Sequence, residues 1–80
     1  MSVAVRGRDA AREAYRVDID GQGALVPECL MESLRSGDRP SHQEAYEWIA
    51  AHRGAIERAV AARVRGERPR PPFDLVELLA

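Results

Sequence analysis

Few side chains in this chain of 80 residues could do chemistry, and their spacing limits what they could do. Cys29 is the only thiol. A nucleophilic cysteine needs a nearby base or a helix N-terminus to lower its pKa, and nothing adjacent in the sequence supplies one. It reads as a small buried hydrophobe at a strand end. His42 and His52 are the only imidazoles. Ten positions apart on one helix, they would be about 15 Å apart along its axis, too far to share a metal. Without a second cysteine, a structural zinc site within one chain is excluded. Asp18 and Asp20 fall on one face of a strand, roughly 7 Å apart, a spacing that suits paired acid–base work only in a pocket that shifts one pKa. On an open strand both are solvated. Gly21 and Gly23 open no helix, so they form no phosphate loop. No pattern calls for a cofactor or a metal, and none points to an enzyme. A catalytic site would have to be assembled across a homodimer.

The one dense cluster of charge is cationic: Arg58, Arg63, Arg65, Arg68 and Arg70, interrupted only by Glu67. It runs off the end of a predicted helix, where cations complement the helix dipole, so it has a local structural reason. Its functional reading is a patch for phosphate or for an acidic protein, with Trp48 or Phe73 near enough to stack. Every basic side chain in the chain is Arg, with no Lys, Asn or Thr. That uniform bias reads as GC-rich codon usage rather than selection for guanidinium. The net charge of −1 exerts no global pull toward nucleic acid or acidic lipid.

The elements that must position these residues are legible from periodicity. Val3 and Val5 alternate with Ala4 and Arg6 as a short edge strand, and 8–13 forms a polar turn. Residues 14–20 alternate cleanly, with Tyr15, Val17 and Ile19 on one face and Arg16, Asp18 and Asp20 on the other. Asp20-Gly21-Gln22-Gly23 is a turn, and a second strand over 24–30 completes a hairpin spanning about 14–30. Pro27 cannot donate to a ladder, which puts that strand at an edge or demands a bulge. After a breaker-rich loop at 36–40, one long helix runs from about 41 to 65. Ser41 and Glu44 form a capping box at its start, and Gly66 stops it. Ala45, Ile49, Ile56 and Val60 form its apolar stripe, while Gln43, Glu44, Glu47, Gly54 and Arg58 face water. Gly54 marks a slight bend or a close contact. A Pro/Arg connector fills 66–72, and 73–79 closes the sheet as a strand. The fold class is α+β: a small antiparallel sheet with one amphipathic helix across one face, in a single domain over 1–80.

Several segments also form an ordered series: Asp9-Ala10-Ala11-Arg12-Glu13-Ala14-Tyr15-Arg16-Val17, then Asp20-Gly21, Cys29 followed by Leu34, Ala45-Tyr46, and His52-Arg53 with Ile56-Glu57 and Ala59. The series resembles the small bacterial proteins grouped as domain of unknown function 1488, over roughly 9–64. The His-Arg-x-x-Ile-Glu segment is its most specific part. The resemblance implies a small α+β protein and adds no catalytic residue. The turn at 21–24, Pro27 and the segment 29–34 depart from the pattern, and 73–79 matches it only loosely.

No apolar run approaches the ~20 residues needed to span a bilayer, so no membrane contact is expected. The segment Met1-Ser2-Val3-Ala4-Val5-Arg6 lacks the apolar stretch of a secretory signal, and one cysteine excludes an internal disulfide; the expected location is the cytoplasm. The function expected is a non-enzymatic protein-interaction or regulatory module, motivated by an exposed sheet edge and the lack of any convergent polar constellation. Its partner is a protein, a second copy in a homodimer included. The alternative is a nucleic-acid or phosphate-binding accessory acting through the arginine cluster.

Overall fold

The computed structural model describes residues 3–34 and 41–79. It is an α+β fold: four antiparallel strands in the order β1-β2-β3-β4, with two helical segments packed on one face. The strands are β1 (Val3–Asp9), β2 (Ala14–Ile19), β3 (Gln22–Pro27) and β4 (Glu77–Leu78). The helices are α1 (His42–Ala51) and α2 (Arg53–Val64). The loop expected at 36–40 lies outside the described residues.

β1 is longer than the edge strand read from its valines, and it absorbs part of the turn expected at 8–13. Its register against β2 slips between Val5, opposite Val17, and Gly7, opposite Arg16. The extra residue is Arg6, so this is a β-bulge, and it reverses the alternation beyond it. Arg8 then lies opposite Tyr15 on the core face rather than outside. There its guanidinium meets Glu28, and both side chains are largely buried.

The β2–β3 connection is tighter than the four-residue turn expected. Ile19 pairs with Gln22 across Asp20 and Gly21, whose φ values of 51° and 82° are those of a two-residue hairpin turn matched to strand twist. The Asp18 carboxylate accepts from the Gly21 amide at 3.0 Å and holds the turn. Gly23 therefore belongs to β3, where an added Cβ would meet Leu79 at 3.4 Å. The hairpin ends at Pro27, not at 30, because residues Glu28–Leu34 form a 3-10 helix. Cys29 is on that helix and is exposed, not buried at a strand end. Pro27 sits at a local edge and needs no bulge: β3 is an inner strand, but β4 pairs only with Ala24 and Leu25, so no ladder partner reaches Pro27 on that side.

The single helix expected over 41–65 is two. It opens with the capping box: Ser41 Oγ accepts from the Glu44 amide at 3.1 Å, and the Glu44 carboxylate accepts from the Ser41 amide at 2.9 Å. The break comes at His52 (φ −107°, ψ 16°), two residues before Gly54. Both the His52 backbone N–H, at 3.0 Å, and its ring Nδ1, at 2.9 Å, address the Trp48 carbonyl. A carbonyl only accepts, so Nδ1 carries the proton. The ring is stacked on the Trp48 indole with centroids 4.2 Å apart. A side chain inserted into its own helix ladder bends the helix there. α2 ends as read: Gly66, at φ 77°, donates to the Arg63 carbonyl at 3.0 Å and Glu67 to Ala62 at 2.8 Å, the paired bonds of a Schellman stop.

The core lies between helices and sheet. Tyr15, Val17 and Ile19 join Ala45, Trp48, Ile49, Ile56 and Val60 in one buried cluster, with Val26, Met31 and Val76 filling its margins. Ile56 is fully buried and Arg58 is exposed, which fixes the rotation of α2 as the sequence pattern has it. Among the described residues the outer sheet face carries three ion pairs: Arg6–Asp18, Arg16–Asp9 and Arg12–Glu77, each at 3.4 Å. Leu25, with Arg16 and Glu77 as its cross-strand neighbours, is buried beneath their long stems. The closing strand expected over 73–79 shrinks to Glu77–Leu78, preceded by a 3-10 turn over Phe73–Leu75.

Candidate anion-binding groove

Beyond the Schellman stop the chain cannot continue as helix, and Pro69, Pro71 and Pro72 hold it extended or turning back along α2. Pro69 is buried, which anchors the connector. Between it and the helix lies an open groove of about 530 Å³. Ala55, Ala59 and Ala62 form its floor, at the i, i+4 and i+7 positions of one helix face. Phe73, Arg58, Arg68 and Arg70 complete the lining with Pro69 and Pro71. No carboxylate belongs to that lining among the described residues.

The five arginines singled out in the sequence do not act together. Arg63 points the other way: its guanidinium donates to the Asp74 carbonyl and, at 3.2 Å, to the Val76 carbonyl, clamping the C-terminal segment to α2. Arg65 is paired with Glu67 at 2.9 Å in an exposed ion pair outside the groove. Arg68 donates to Asp74 at 2.9 Å while its own side chain stays exposed. Arg58 and Arg70 have no acidic partner among the described residues. The Arg58 guanidinium runs back along the helix, with Nη1 3.4 Å from where a Cβ on Gly54 would sit. So the patch is three arginines around an apolar floor, two of them without an acidic partner among the described residues.

The other candidates lie apart. Asp18 is spent on the hairpin turn and Arg6, and Asp20 is an exposed turn residue at positive φ. His42 is exposed with its ring edge-on to Tyr15, centroids 6.0 Å apart. His52 is tied to Trp48, and among the described residues no group of three or more His, Cys, Asp or Glu side chains could hold a metal ion. Two features escaped the sequence reading. The Arg8–Glu28 pair depends on a one-residue bulge that alternation cannot reveal. The Trp48–His52–Phe73 cluster brings Phe73 within 6.0 Å of Trp48 by a turn of the connector; only the i, i+4 spacing of Trp48 and His52 was there to read. No helix among the described residues is long and apolar enough to cross a membrane.

Comparison with protein-family models, with curated proteins and with solved structures returned no match.

Proposed function

We propose that this domain is a non-enzymatic protein-interaction module whose contact surface is the groove between α2 and the proline-rich connector. One observation carries the reading: Arg58 and Arg70, without an acidic partner among the described residues, line a groove with an apolar floor. A cation beside carbon surface combines a charge that orients a partner with area whose burial holds it. On the outer sheet face, by contrast, Arg6, Arg12 and Arg16 are each paired with a carboxylate. The nucleic-acid reading loses support with the withdrawal of Arg63 and Arg65 from the patch, since phosphate-backbone affinity scales with the number of cations engaged. Kinship with the proteins of domain of unknown function 1488, and a cytoplasmic location, are proposals resting on the residue series and composition alone.

The test places a photo-crosslinking side chain at Ala55, on the groove floor. It should capture a discrete polypeptide from an extract of the host cell, and Arg58→Glu should abolish that capture while Arg12→Glu, on the outer sheet face, leaves it intact. Capture indifferent to Arg58, or capture of nucleic acid, overturns the reading.

A further inference from the structure

We infer that the occupant of the groove is a short extended segment in which one apolar side chain is flanked by carboxylates. The inference rests on the groove being the contact surface and adds the chemistry of what it takes. The floor decides against a bare anion. Ala55, Ala59 and Ala62 present only methyl groups; with Ala59 and Ala62 already buried, the accessible carbon surface is that of Ala55, Pro71 and the half-buried Phe73 ring, which is backed by Trp48. Such a floor gives a phosphate or a sugar nothing to bond, and a single ring is not the interleaved aromatic platform that holds single-stranded bases. It does suit an aliphatic side chain, which loses contact with water there. The rims decide the charge. Arg58 and Arg70 offer planar guanidinium groups suited to carboxylates. Arg68, the third arginine of the lining, is already engaged by Asp74, which lies outside that lining, so the charge left for a partner is that of Arg58 and Arg70.

Length and alternation complete the pattern. From Ala55 to Ala62 the helix rises about 10 Å, the span of roughly three extended residues. Successive side chains of an extended segment point to opposite sides, so one apolar residue directed at the floor leaves both neighbours at the mouth of the groove, within reach of the long, exposed Arg58 and Arg70 side chains. Pro69, Pro71 and Pro72 lack amide hydrogens, so the connector offers few backbone donors for strand addition. Recognition falls to side chains.

The probes are a capped Gly-Asp-Leu-Asp-Gly peptide, the same peptide with Gly in place of Leu, inorganic phosphate and a short oligothymidylate, each titrated into the labelled full chain while amide chemical shifts are followed. The Leu peptide should saturably shift the amides of 55–62 and Arg70. Removing its Leu should weaken binding about tenfold. Arg58→Gln and Arg70→Gln should each weaken it about threefold, with Arg12→Gln unchanged. Equal affinity for the two peptides, or equal affinity for phosphate, overturns the inference. Preferential binding of the oligothymidylate at these amides overturns both it and the protein-interaction reading. Failure of the peptide while Arg58-dependent crosslinking from Ala55 persists leaves the contact surface standing and rejects only this chemistry for its occupant.

Discussion

At the scale of single residues, burial rather than type decides what a charge does. Arg6 and Arg8 are two positions apart and identical in chemistry, yet the bulge sends them to opposite faces. Arg6 is exposed and paired with Asp18 across solvent. Arg8 lies against Glu28 with little access to water. Exposed pairs contribute between 0 and about 1 kcal/mol, whereas breaking a buried pair leaves a desolvated charge behind. Arg8→Ala should therefore cost about 3–5 kcal/mol and Arg6→Ala under about 1 kcal/mol, read from urea midpoints at unchanged slope. Equal midpoints for the two variants would show that the bulge is not held in solution. The same logic separates the five arginines of the cluster: Arg63 acts as a clamp, while Arg58 and Arg70 have no acidic partner among the described residues.

At the scale of elements, two glycines of the helical region serve opposite ends. Gly66 takes φ 77° in the Schellman stop, where a Cβ is strained whatever space surrounds it. Gly54 is an ordinary helical residue; an added Cβ meets only the flexible tip of Arg58. Gly66→Ala should destabilise by about 1–2 kcal/mol. Gly54→Ala should stabilise by about 0.5–1 kcal/mol, since Ala is the better helix former and the guanidinium can move aside. Thermal melts of both variants check the signs, and a destabilised Gly54→Ala would mean that the contact with Arg58 is tighter than a flexible tip allows. The bend belongs to His52, whose ring takes the Trp48 carbonyl, and not to the glycine that composition singles out.

For the whole molecule, one core must hold a sheet that is marginal alone to a helical pair that buries nothing alone. Ile56 is fully buried in the cluster joining them, and Ile56→Ala should cost about 2–5 kcal/mol, enough to threaten a domain of this size. Arg58→Ala, two residues on and exposed, should cost under about 0.5 kcal/mol. Stability measured by denaturant on both variants separates them, and the small effect at Arg58 is also what lets this residue serve as a binding probe without disturbing the fold.

Much of the architecture is written locally. Alternation over 14–19, the Asp-Gly turn, the Ser41–Glu44 box, the apolar stripe of the helices and the stop at Gly66 are all set by neighbours within a few positions, so the α+β class and the packed faces were legible from the chain alone. What the tertiary structure decided are matters of register and long-range pairing. A single inserted residue turned Arg8 inward. A side chain reaching into its own helix ladder bent the helix at His52. A clamp from Arg63 onto the carbonyls of Asp74 and Val76 helps hold the C-terminal segment, whose strand is only Glu77–Leu78. The groove is of the same kind: Arg58 and Arg70 are twelve positions apart along the chain. Only the return of the proline connector along α2 brings them to one cavity, because no local rule of period or propensity specifies where a loop lies once its helix has ended.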